Sequence, residues 1–252
     1  MATIDQSSDI EVSEEVIEKV SSPETLSIWG LAWPSIIANI LFAAVGIVGL
    51  KAVGALGTEA LAAVGTGQRI FFVIQSLIMA VSTGTTALIA RAYGSGKKNE
   101  AAQVLFDSLW IGVILGLCTT FIVWIYGEDI IGLFGLNEQS KNLAIDYLKY
   151  SMLFSAMFSA SFIFGAALRA AGDAKTPLVI MIFQNIINVF LLIGLVNGSF
   201  GLPNLGVLGA ALAWGISFTI GTIIFLFLWL SKLTIIPFPN FNSFNTNRIK
   251  LI

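Results

Sequence analysis

The sequence contains no histidine and a single cysteine, Cys118. The first absence excludes imidazole metal sites and histidine-based acid–base catalysis. The second excludes an intrachain disulfide, and Cys118 itself reads as a small buried apolar residue. Charge is scarce as well: 11% of the residues are Asp, Glu, Lys or Arg, against about 25% in soluble domains. The net charge of −2 is spread over loops, and no basic domain is present to hold nucleic acid. No pair of carboxylates lies within an apolar stretch, and no nucleophile has a neighbouring base, so a membrane-embedded enzyme is not indicated. The glycine-rich phosphate loop of ATP-driven pumps is missing too. No catalytic residue, metal ligand or cofactor is expected.

What is present is apolar length. Hydrophobic residues make up 56% of the chain, and the mean hydropathy is +0.89. A bilayer core of about 30 Å is crossed by ~20 apolar helical residues. The stretches 28–50, 70–90, 103–126, 146–168, 177–197 and 207–230 meet that requirement. They are apolar all round, unlike the one-sided helices of a soluble bundle, and they lack the alternation of barrel strands. The expected fold is therefore all-α, a polytopic membrane bundle with six transmembrane helices. A polar, acidic tail over 1–25 precedes it, without the basic-then-apolar order of a signal peptide. Residues 233–252, rich in Pro and Asn, read as the start of a linker. The segment EDIIGLFGL (128–136) is too short to span and reads as an interfacial helix.

Loop charge orients the bundle. Arg91, Lys97 and Lys98, then Arg169 and Lys175, then Lys232, Arg248 and Lys250 fall on one side, while 198–206 carries no charge. The positive-inside rule places that basic side, and both termini, in the cytoplasm of a cell whose plasma (inner) membrane holds the chain.

Polar side chains within spans are costly and mark candidate function. Gln184, Asn188 and Asn185 fall at about 0°, 40° and 100° on the fifth span, so they share a face near mid-membrane. They either line a wet cavity or form interhelical hydrogen bonds. Gln75 lies in the second span. Lys51 ends the first span, where it either snorkels to the outer interface or faces a cavity. Asp107 lies about one turn inside the third span, where it reads as solvated or paired. Ser151, Ser155 and Ser159 recur every four residues in the fourth span and read as a close-packing stripe.

Several segments, in order, resemble the MATE (multidrug and toxic compound extrusion) family of secondary transporters. WPSIIANILF opens the first helix, LGTEALAAVG leads into the second, and ARAYGSGKKNEA follows it. LRAAGDAKTP joins the fourth helix to the fifth, and LGVLGAALAW enters the sixth. The resemblance covers roughly 26–250 and implies one lobe, the first six helices, of a two-lobe antiporter. It further implies export of small organic compounds in exchange for H⁺ or Na⁺, at a cavity between lobes that rock against each other. The cavity residues expected here are Lys51, Gln75, Gln184, Asn185 and Asn188. The second lobe is expected from a continuation of the chain or from a second copy. The alternatives are an orphan lobe without transport activity and a related lipid-linked saccharide flippase.

Two positions depart from the family pattern. Many members carry Asp in a first-helix pattern V-D-x-x-x-V-G, and in the matching stretch Val48–Gly54 that position is Gly49. Some members carry N-x-x-x-D in the fifth helix. Asn188 matches the Asn, but Leu192 occupies the Asp position. The resemblance thus implies a lobe that offers amides where its relatives offer carboxylates.

Overall fold

The computed structural model describes residues 28–239, with side chains from Trp33 onward except Ser35. The expected acidic tail and most of the expected linker lie outside the described residues. Seven helices follow one another: α1 (Ile28–Gly54), α2 (Thr58–Gly94), α3 (Lys98–Gly132), α4 (Glu138–Leu153), α5 (Ser155–Ala170), α6 (Lys175–Asn197) and α7 (Gly206–Leu230). Five are long and apolar enough to cross a membrane singly, and α4 with α5 forms a sixth, bent crossing. All regular structure among the described residues is helical, as backbone in lipid requires.

The core sorts by membrane end. One cluster joins Ile89 and Ala92 of α2, Ala101 and Leu105 of α3, Leu168 of α5 and Trp229 of α7. All lie near the loops that carry the basic residues, here called the basic end. A second joins Val53, Ala60, Tyr147, Val196 and Val207, and a third joins Ala63, Val123, Ile131 and Leu148. Both lie at the opposite end. This division follows from alternating passes. The inverse of a soluble protein holds across the surface, where Ile47, Phe72, Trp110, Phe121, Ile186 and Phe227 are all exposed. Lipid is as apolar as these side chains, so small and polar residues are left to make the helix contacts.

Glycines set the closest approaches. A Cβ at Gly116 of α3 would lie 2.6 Å from the Ala156 backbone of α5, and one at Gly209 of α7 would lie 2.5 Å from the Leu195 carbonyl of α6. The turn between α5 and α6 explains the motif LRAAGDAKTP. Gly172 sits at φ +97°, a conformation costly to any residue with a Cβ. The Asp173 amide donates to the Leu168 carbonyl at 2.9 Å, closing α5. The Asp173 carboxylate then accepts from the Lys175 and Thr176 amides at 3.2 and 3.0 Å, capping α6. Pro177 falls within the first turn of α6, where its missing N–H has no intrahelical partner to lose.

Four expectations are corrected. The second helix starts at Thr58, well before residue 70, so LGTEALAAVG supplies its first turns; hydropathy reads only the membrane core. EDIIGLFGL is not a separate interfacial helix, because α3 runs on to Gly132 and then turns. The fourth crossing breaks at Phe154, where α4 and α5 meet at 52°. Cys118 is exposed rather than buried, since it lies away from the Gly116 and Thr119 side of α3 that meets the bundle.

The break has a physical cause that no Pro or Gly announces. Thr120 Oγ1 donates to the Met152 carbonyl at 2.5 Å, and Ser155 Oγ donates across to the Gly116 carbonyl at 2.6 Å. The two hydroxyl oxygens lie 2.9 Å apart. Hydroxyls of α3 and α5 thus satisfy backbone groups at and beside the bend. Phe154 itself seats its ring against α7 at Gly215, the space a Cβ there would occupy.

Candidate functional site

The α6 amides divide. Gln184 Nε2 donates to Ser161 Oγ of α5 at 3.0 Å, and Gly221 of α7 leaves the room its amide occupies. Asn188 Nδ2 donates to Ser217 Oγ of α7 at 3.3 Å, and that hydroxyl donates on to the Trp214 carbonyl at 2.8 Å. Both amides are buried, and these bonds are the interhelical kind. Asn185 differs: its Nδ2 is buried with no hydrogen-bond partner. It lies seven residues before Leu192, on the same side of α6.

That side of α6 meets α1. A Cβ at Gly49 would lie 3.8 Å from Leu192 Cδ2, with nothing else within 4 Å. The two positions where the resemblance expects carboxylates are therefore neighbours across the α1–α6 seam, and Gly49 meets only the apolar Leu192 side chain there. Lys51, two residues on, is exposed in the last turn of α1. Gln75 is half-buried on α2. Neither of the two hollows along α2 is lined by Lys51, Gln75 or the α6 amides.

Two hollows lie along one side of α2. At its basic end, a cavity of about 200 Å³ opens between α2 and α5, lined by Met79, Ser82, Thr83, Thr86, Phe162 and Arg169. Further along α2, a hollow of about 410 Å³ is lined by Thr58, Leu61, Gly65, Thr66 and Arg69. The α2 residues recur at spacings of three and four, which puts them on one side of the helix. Arg169 is the unusual member. The nearest guanidinium nitrogen, Nη1, lies 3.3 Å from where a Cβ of Gly165 would stand. The side chain therefore folds back one turn along α5, away from the basic end, and stays exposed. It has no ion-pair partner among the described residues.

An aromatic cluster borders this cavity. Phe162 stacks on Phe158 at 5.8 Å, and Phe158 packs with Phe71, Trp214 and Phe218 at 5.6, 5.1 and 5.0 Å. In the sequence Arg169 reads as loop charge alone, and nothing beside it marks a cavity. The hydroxyls at 82, 83 and 86 on one side of α2 were the available signal. Asp107 is buried and engaged with a partner. Of the serine stripe, Ser155 and Ser159 are buried and hydrogen-bonded within the helix packing, whereas Ser151 Oγ is buried without a partner.

The sequence matches the MatE family over residues 34–193. Among curated relatives, the probable multidrug resistance protein YoeA of Bacillus subtilis is 34% identical over 233 residues, 88% of this chain and 49% of the relative. The probable multidrug resistance protein NorM of Thermotoga maritima is 31% identical over 192 residues, 76% of this chain and 41% of the relative. The chain thus spans about half the length of the curated relatives it matches. A solved outward-facing multidrug resistance MATE family transporter of the MOP superfamily superposes with a TM-score of 0.81. It is 24% identical in sequence and covers 88% of this chain and 49% of its own. At that identity the likeness establishes the fold.

Proposed function

The chain belongs to the MatE family, and from that premise we propose that it is one lobe of an exporter of small organic compounds, active when joined to a second lobe. The observation that carries this reading is the match over 34–193. It runs from the first helix through the fifth crossing, in a chain whose relatives are about twice as long. A lobe of this kind needs a partner to form a closed path across the membrane, whether a continuation of the chain or a second copy. The basic loops support cytoplasmic termini in the plasma membrane.

The coupling ion is H⁺ or Na⁺, and this lobe contributes little to binding it. Gly49 and Leu192 leave no carboxylate in the α1–α6 seam, and an intramembrane cation site needs a charged or titratable oxygen ligand. Gln184 and Asn188 are engaged between helices. Asn185, with its unpartnered amide nitrogen, and Gln75 and Lys51 are the polar side chains left to face a substrate or ion.

Dye accumulation in cells stripped of their own exporters tests the reading. The chain is expressed alone and fused to the second half of the Bacillus subtilis relative. Reduced ethidium accumulation by the fusion, or by the chain alone as a self-pairing lobe, is the expected result. If both leave accumulation at the empty-vector level while the fusion reaches the membrane, the lobe does not serve export.

A further inference from the structure

Arginine at the end of a membrane helix ordinarily extends toward the headgroups and water. Arg169 does the reverse. Its guanidinium lies over Gly165, a turn deeper, where it lines the cavity with Ser82, Thr83 and Thr86. Arginine stays charged at any physiological pH, and the Arg169 side chain is exposed, so its donors are open to a ligand that enters the cavity. Among the described residues no Asp or Glu lines the cavity, and none forms an ion pair with Arg169. An anion that pairs with this group comes from outside the described lobe.

The walls say what kind of molecule brings it. Met79 and Phe162 form an apolar flank, and Phe162 is backed by the stacked Phe158 ring. Thr83 and Thr86 donate their hydroxyl protons to the Met79 and Ser82 carbonyls at 2.9 and 2.8 Å. That leaves the guanidinium as the principal donor into the cavity. A planar fork of donors suits the paired oxygens of a phosphate or carboxylate. The volume of about 200 Å³ is below the ~300–1,000 Å³ of sites that enclose a whole drug-sized ligand. It suits a charged end group with the first part of an apolar body.

We propose that the cavity between α2 and α5 binds the oxyanion group of an amphipathic molecule, a phosphate or carboxylate held by Arg169 with its apolar part against Met79 and Phe162. An acidic phospholipid and an anionic organic solute share this chemistry. The site is independent of whether the lobe takes part in export, because binding is read without transport.

The test uses the full chain in two arms. In the first, the chain is extracted from bilayers of equal phosphatidylglycerol and phosphatidylcholine, and retained lipid is weighed by native mass spectrometry. In the second, phenyl phosphate is titrated calorimetrically into the chain in phosphatidylcholine nanodiscs. The expected result is at least fivefold enrichment of phosphatidylglycerol, or saturable phenyl phosphate binding, either of which falls at least tenfold or to parity in Arg169→Gln. Enrichment alone names the lipid as the source, and phenyl phosphate binding alone names a soluble anion. Gly165→Leu keeps the charge but puts a side chain where the guanidinium rests, so it abolishes binding as Arg169→Gln does. It also decides the matter should Arg169→Gln fail to fold. Binding of neither anion by the unaltered chain, or binding unchanged in a folded Arg169→Gln or Gly165→Leu variant, overturns the proposal.

Discussion

Helices α1 and α5 belong to the same lobe and are built on opposite plans. α1 exposes Ile36, Ile40, Phe42, Ile47 and Leu50, and Gly49 has only Leu192 within reach. It lies against α6 with space to spare. α5 is buried along most of its length. Gly112 and Gly116 of α3 press on it, and it receives hydrogen bonds from Gln184 and Thr222. The loosely held helix is the one that has lost its expected carboxylate. The tightly held one carries Arg169, which folds back over Gly165. Charge is held in place here by a rigid element, which is what a binding group needs to keep its geometry.

Substitutions sharpen that contrast, beginning with the largest effect. Gly116→Leu drives a side chain into the Ala156 backbone 2.6 Å away and should cost about 3 kcal/mol, read as a lower midpoint of thermal unfolding in detergent. Gly49→Ala meets only an ordinary contact at 3.8 Å and should be neutral or gain up to ~1 kcal/mol from helix propensity. Equal losses at the two sites would erase the distinction between loose and tight helices.

Gly49→Asp comes next. It places a carboxylate against Leu192 five residues from the end of α1, so its cost stays below the ~2.5 kcal/mol of an acid at a helix centre. In a completed transporter it should also raise the dependence of dye efflux on Na⁺ or pH. Efflux flat across both series would count against the seam as the place where relatives bind their cation.

Gln184→Ala removes a bond of 3.0 Å to Ser161 and the side chain that fills the space at Gly221. A loss of about 1.5 kcal/mol is expected from the bond and the void together. Unchanged stability with impaired substrate binding would instead return the amide to a cavity role. The smallest effect is expected outside both helices. Lys149 Nζ lies 3.0 Å from Glu128 Oε1, and the glutamate is largely exposed, so Glu128→Gln should change stability by less than ~0.5 kcal/mol.

Hydropathy located every crossing because lipid demands ~20 apolar residues in a row. It could not locate the helix ends at Thr58 and Gly132, which continue where that demand stops. The bend at Phe154 was hidden for another reason. Its supports are Thr120 and Ser155, hydroxyls from different helices that meet only in the fold. The neighbouring placement of Gly49 and Leu192 was legible only through the family pattern, since nothing local in either segment announces it. Gln184 and Asn188 were visible as polar intruders, yet their choice between cavity and packing depended on Ser161 and Ser217 across the interface. Arg169 was the least legible. Its fold back along α5 depends on the missing side chain at Gly165, and an arginine beside a basic loop otherwise reads as topology alone.

The account rests on this lobe holding no cation at its α1–α6 seam. The most direct measurement is the thermal unfolding midpoint of the chain in detergent as Na⁺ replaces choline at constant ionic strength. A ligand bound only by the folded state raises stability by RT ln(1 + [L]/Kd). With no cation held at the seam, the midpoint does not move with Na⁺. A saturable rise, retained in Arg169→Gln and lost in Asn185→Ala, would place a cation site in this lobe and contradict it.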